Sequence, residues 1–139
     1  MGGPPEAATV QPVVFDTDVL VWYFRGNLKA RRLLARIPHP RRAISSLTFM
    51  ELLQGCRARS ETRQVRSFVT DNVPMVLHPD EASSRRAIDL LDQHAASHGL
   101  RVVDALIAAT AIESDALLAT ANLKHYRVIP RLDLLAFRP

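Results

Sequence analysis

Short apolar runs alternate with longer amphipathic stretches along the whole chain, and that alternation predicts an α/β domain. Val13, Val14 and Phe15 form an unbroken apolar run behind Pro12, the pattern of a strand buried on both faces. Residues 18–25 and 28–37 read as two short helices parted at Gly26-Asn27, the second carrying Leu33, Leu34 and Ile37. PHPRR is a loop and Ala43-Ile44 a second short strand. Helices are expected over about 49–58 and 61–72, with a third strand from Pro74 to Leu77. A long helix over 80–98 should stop at Gly99, a favourable C′ residue. Residues 104–114 read as helix, 116–119 as a fourth strand, and Val128-Ile129 ahead of Pro130 as a short fifth. Strands separated by helices favour a mostly parallel sheet. In such sheets, sites gather at the carboxyl ends of strands, near the point where strand order reverses. Asp16 ends the first strand and Asn122 follows the fourth, so both belong to one edge.

Composition narrows the class. The 139 residues show no internal repeat and no interdomain linker, so residues 13–139 are read as one domain behind a disordered leader at 1–12. That leader, MGGPPEAATVQP, lacks the basic and then apolar order of a signal peptide. No apolar stretch approaches the roughly 20 residues needed to span a bilayer, so no membrane association is expected. The single cysteine, Cys56, excludes an intramolecular disulfide and a cysteine-based zinc cluster, which suits a reducing cytoplasm. A net charge of +4, carried mostly by arginine, is compatible with a nucleic-acid partner and equally with simple solubility.

Three acids stand flush against apolar runs instead of in solvated clusters: Asp16 in VVFDTDVL, Glu51 in SSLTFMELLQG and Asp104 in LRVVDALIAATA. Carboxylates beside core-forming residues are costly to bury unless paired or bound to a cation. Several converging on one point would make an oxygen-donor site for Mg²⁺ or Mn²⁺. Each also has an ordinary structural use. Asp16 or Asp18 could cap a helix. Glu51 could close a capping box with Thr48, and Asp104 suits the first turn of a helix. Thr120 and Asn122 could be turn residues. No single position decides the matter, but their joint order does.

That order, VVFDTDVL, SSLTFMELLQG, VVDALIAATA and LLATANLKHY, resembles the PIN-domain ribonucleases, specifically the VapC-type toxins of bacterial toxin–antitoxin pairs. The resemblance runs from about residue 13 to 137. It implies a three-layer α/β/α fold with a parallel sheet in strand order 3-2-1-4-5. It also implies metal-dependent endoribonuclease activity leaving 5′-phosphate and 3′-hydroxyl ends. The family's principal metal ligands fall on Asp16 and Asp104, its glutamate on Glu51, and its fourth polar position on Asn122. An amide there is expected to orient a water, with the Thr120 hydroxyl helping, while Asp115 lies too far back to compensate. An RNA substrate, a VapB-type antitoxin lying across the acidic groove, and a homodimer are further implications. Apolar material for that groove would come from Trp22, Tyr23 and Phe24, from Leu33, Leu34 and Ile37, and from Leu52 and Leu53.

Two other readings fit parts of the sequence. VVFDTDVL also matches the Asp-x-Asp strand of haloacid-dehalogenase-like phosphatases, in which Asp16 would be the nucleophile and Asp18 the acid/base; that chemistry wants a later acidic pair, where this chain has Asp104 alone. A non-catalytic PIN binding module, with Asn122 as the lesion, is the second. Beyond the acids, His94 and His98 have a zinc-compatible spacing but no third ligand, and a packed or interface face is expected. Trp22, Tyr23 and Phe24 cannot all face one way, so at least one belongs to the core. Arg57 and Arg59 are the first candidates for RNA-backbone contacts.

Overall fold

In a computed structural model that describes residues 10–139, every helix and strand expected from the pattern is present except the fifth strand, which is displaced. β1 (Val13–Phe15) is followed by α1 (Thr17–Phe24) and α2 (Leu28–Arg36). After a 3₁₀ turn, β2 (Arg42–Ser45) leads into α3 (Ser46–Gln54) and α4 (Arg59–Asn72). β3 (Met75–Leu77), α5 (Glu81–His98), α6 (Val102–Glu113), β4 (Leu117–Thr120), α7 (Leu123–Tyr126) and β5 (Asp133–Ala136) complete the chain. All strand pairs are parallel, in the order 3-2-1-4-5. That is the order the family resemblance implies.

The unbroken apolar run of β1 has the cause inferred for it. Val13 and Phe15 pack against α1, α2 and α4, whereas Val14 belongs to the opposite core with α5 and α6. Helices therefore cover both faces, making three layers. All three residues are fully buried, so Phe15→Ala would cost about 3–5 kcal/mol, a large share of a typical 5–15 kcal/mol. β1 and β4 both end on the carboxyl edge of the sheet at its centre, where β1 lies between β2 and β4.

Several boundaries differ from the sequence expectation. The fifth strand is Asp133–Ala136 instead of Val128-Ile129. Ile129 is buried beneath a turn, where its amide donates to Tyr126, while Leu134 and Leu135 extend the sheet beside β4. Helix α3 starts early because Ser45, extended at the end of β2, accepts from the Leu47 amide and caps it. Thr48 is consequently inside the helix and forms no capping box with Glu51. Helix α6 likewise starts at Val102, two residues ahead of Asp104. Gly99 ends α5 in the left-handed conformation (φ 68°), as expected. Leader residues 1–9 lie outside the described residues, but Gln11 and Pro12 are tied to the domain. Arg41 donates to the Gln11 carbonyl and Leu117 to that of Pro12. Leu33 and Leu34 are core residues, so they offer no apolar surface to a partner chain. Among the described residues, no helix is long and apolar enough to cross a membrane.

Candidate active site

The acids converge from three elements at the carboxyl edge. Asp16 leaves β1 in an extended conformation and caps α1: its Oδ1 accepts from the Thr17 amide at 2.9 Å. Its Oδ2 accepts from the Thr120 hydroxyl at the end of β4, at 2.8 Å. One oxygen thus caps the helix while the other is held by the neighbouring strand. Asp16 is only 6% exposed. Burial, then the Asp18 charge and to a lesser extent Asp104, push its carboxyl up to about 7, against the lowering effect of the Thr120 and Thr17 hydrogen bonds. A buried carboxylate with like charges beside it is short of positive charge.

Asp18, one residue into α1, belongs to the same site. Its Oδ2 accepts from the Ala121 amide at 3.0 Å and lies 3.4 Å from the Thr120 hydroxyl. Its Oδ1 is buried without a partner. Burial raises the Asp18 carboxyl above its ordinary value despite those hydrogen bonds. The sequence treated Asp18 as a cap or as the rival phosphatase's acid, and missed its part in this acidic cluster. Its place directly after the motif's Thr17 was the available signal.

Glu51 projects from α3 and is exposed. The Thr17 hydroxyl donates to its Oε1 at 2.7 Å and lies 3.0 Å from the Thr48 hydroxyl. Thr17 thus fastens Glu51 to the turn that carries Asp16. Asp104, in the first turn of α6, is half-buried, and the hydroxyl of the fully buried Tyr126 donates to its Oδ1 at 3.3 Å. Burial and the surrounding acids raise the Tyr126 phenol far above its usual range, so it remains a donor. Nothing in the sequence distinguished Tyr126, whose role depends on a contact made across 22 residues. Glu51 and Asp104 face a common cleft of about 460 Å³, closed on one side by Arg101, Val102 and Val103.

Asn122 is on the same edge but turned aside. Its amide nitrogen lies 3.1 Å from His125 Nδ1, and its backbone N–H donates to the Thr120 hydroxyl at 2.9 Å. Thr120 is therefore engaged with Asp16 and with its own turn. Asp115 sits before β4 at the opposite end of that strand. His94 and His98 pack edge to face at 5.7 Å. Tyr23 packs on Phe68, Trp22 lies under Arg25, and Phe24 is the most exposed of the three aromatics.

Could these residues hold a divalent ion? Among the described residues, no three acidic, histidine or cysteine side chains close on one point by themselves. Mg²⁺ does not require such a cage, since it keeps several waters and binds through one or two carboxylates. The unpartnered Asp18 Oδ1 and the raised Asp16 carboxyl are oxygen donors that would fit a hard cation.

Known proteins share both the sequence and the fold of this chain. The family profile described as "PIN domain" matches residues 13–129. Ribonuclease VapC10 of Mycobacterium tuberculosis is 36% identical over 123 residues, covering 86% of this chain and 90% of that protein. Ribonuclease VapC19 of the same organism is 37% identical over 122 residues, covering 86% and 95%. Among solved structures, a toxin–antitoxin complex from Klebsiella pneumoniae superposes with a TM-score of 0.75 at 26% identity, covering 89% of this chain and 96% of that one. VapBC2 from Rickettsia felis, bound to a promoter DNA fragment, shares the fold (TM-score 0.72, 22% identity, 92% and 100% covered).

Proposed function

The chain belongs to the PIN-domain family, among the VapC ribonucleases, and from that premise we propose that it is the Mg²⁺- or Mn²⁺-dependent endoribonuclease toxin of a toxin–antitoxin pair. The observation that carries the reading is the placement of Asp16, Glu51 and Asp104 along one sheet edge, in a chain over a third identical to two ribonucleases. Family membership removes the phosphatase alternative. Asp16 and Asp104 would hold the ion, with Asp18 adding charge behind Asp16. When bound, such an ion polarises the phosphodiester and makes water a better nucleophile.

The chain's own residues divide the remaining work. Thr17 fixes Glu51 Oε1 and leaves Oε2 to take the proton of the attacking water. Thr120 and the Thr17 amide hold Asp16 at both oxygens, and Tyr126 holds Asp104, so the carboxylates are positioned before substrate arrives. With water attacking phosphorus and the 3′-oxygen leaving as the P–O3′ bond breaks, the products carry a 5′-phosphate and a 3′-hydroxyl, and the ribose 2′-hydroxyl takes no part.

A second protein has a place beside this edge. A groove of about 500 Å³ between α1, α3 and α4 is lined by Val21, Phe24, Leu52 and Val65, with Glu51 and Glu61 at its margin. It suits an amphipathic segment of a VapB-type antitoxin, with a cationic side chain reaching the acids in place of the metal's charge. Exposed Met50, Ile88 and Val102 offer apolar surface for a homodimer, which light scattering of the free protein would test. The deciding experiment incubates purified protein with RNA in Mg²⁺, Mn²⁺ or EDTA and maps the ends. Cleavage in EDTA, or cyclic phosphate ends, would refute the metal-assisted mechanism; no cleavage in either metal would support the non-catalytic module. Co-expression with the product of the adjacent upstream gene should give a stable, inactive complex.

A further inference from the structure

One strongly basic feature lies outside the acidic edge and is not used by the mechanism. Lys29, Arg32 and Arg36 occupy one face of α2 at i, i+3 and i+7. Across from them runs the end of β5, with Ala136, Phe137 and Arg138. Together with Leu33 these residues line a groove of about 280 Å³. All four cations are exposed, and among the described residues none forms an ion pair. Their neighbour Arg31 is different, since its guanidinium lies over the Tyr23 ring at 5.1 Å.

We propose that this groove is a cradle for the phosphate backbone of the RNA substrate, holding the strand beyond the point of cleavage. The inference rests on the ribonuclease reading above. Three observations favour RNA over a protein occupant. Of the groove's apolar residues, Leu33 and Phe137 are 2% and 4% exposed and belong to the core, and Ala136 offers only a methyl group, so an incoming protein would find charge but no large apolar anchor. The cations form a row along a helix and a strand end, which follows a polyanion better than a compact ligand. The groove also adjoins the acids through the sheet. The Phe137 amide donates to the Thr120 carbonyl at 2.9 Å, and the Thr120 hydroxyl holds Asp16. An acidic centre repels RNA until its cation is in place, and a neighbouring basic groove supplies attraction that does not depend on the metal.

The test measures binding of a fluorescent single-stranded RNA of about 20 nucleotides to the full chain in EDTA, across salt concentrations, with gels confirming an intact probe. Replacing Lys29, Arg32, Arg36 and Arg138 together by Gln should flatten the dependence of log affinity on log salt by roughly 2–3, at about 0.7 per phosphate neutralised. Arg32→Lys and Arg36→Lys should retain it. Single Arg32→Gln and Arg36→Gln changes, each flattening the slope by about 0.7, serve if the fourfold variant melts lower. Cleavage of a trinucleotide, too short to reach the groove, should be unaltered in every variant, while cleavage of the long RNA slows. An unchanged salt slope overturns the proposal, as does loss of antitoxin binding with RNA binding intact, which would make the groove a protein contact. If the slope falls but the parent protein cleaves no RNA, the cradle stands and the ribonuclease reading fails.

Discussion

Asp16→Asn alters one polar group in a side chain that is 6% exposed and hydrogen-bonded at both oxygens. The amide can keep the Thr17 bond through its oxygen. Its nitrogen can donate to the Thr120 hydroxyl, whose proton then turns toward Asp18 Oδ2, 3.4 Å away. What disappears is a buried titrating group whose carboxyl is raised from 3.8 to about 7. Below pH 4 that group is protonated in both folded and unfolded chains and has no effect on stability. Between about pH 4 and 7 the unfolded chain releases the proton while the folded one keeps it, so folding is progressively disfavoured and the loss is complete above pH 7. At about 1.4 kcal/mol per pH unit, the span amounts to on the order of 4 kcal/mol in the metal-free protein. Allowing about 1 kcal/mol for the rearranged hydrogen bond, the variant should be more stable than the parent by roughly 3 kcal/mol at pH 8. It should be slightly less stable at pH 4. Urea unfolding in EDTA at several pH values measures both proteins, and Mg²⁺ should close the gap by stabilising only the parent. RNA cleavage by the variant should be lost. Parallel pH curves for the two proteins, or a variant less stable at pH 8, would refute the reasoning about Asp16.

Asp104→Asn should abolish cleavage with little change in melting temperature, because an amide oxygen can still accept from Tyr126; retained activity would remove Asp104 from the site. Glu51→Gln keeps an acceptor for Thr17 but is a poor proton acceptor, so the rate should fall by roughly 10²-fold or more at unchanged stability. An unaltered rate would leave Glu51 with a structural role only. Tyr126→Phe removes the donor to Asp104 and should cost about 0.5–1.5 kcal/mol. It should also raise the Mg²⁺ concentration needed for half-maximal cleavage; if that concentration does not move, Tyr126 is packing alone.

The alternation of strands and helices and the edge carrying the acids were legible because both depend on local periodicity and on where β1 and β4 end, whereas the strand order followed from the family resemblance. The fifth strand was not. Val128-Ile129 has the stronger local preference for strand, but Ile129 packs below a turn, and only pairing with β4 makes Asp133–Ala136 a strand. Glu51 was recognised as a site candidate while its capping box was not realised, because an earlier cap at Ser45 moved the helix start. Asp18, Thr17 and Tyr126 share another obstacle. Their significance lies in bonds to Ala121, Glu51 and Asp104, partners fixed by tertiary structure and invisible to spacing. The same holds for the α2–β5 groove, whose Arg138 is over a hundred residues from Arg32.

The bond between Thr120 and Asp16 joins residues 104 positions apart, and β1 takes its place at the centre of the sheet only when β4 lies beside it. During synthesis at about 5–20 residues per second, Asp16 leaves the ribosome's catalytic centre roughly 5–20 s before Thr120 exists. Through that interval the growing chain lacks β4 and the hydroxyl that holds its central carboxylate. A nuclease assembled this way cannot be armed on the ribosome before β4 has been made. The time at which the site appears is written into the order of the strands.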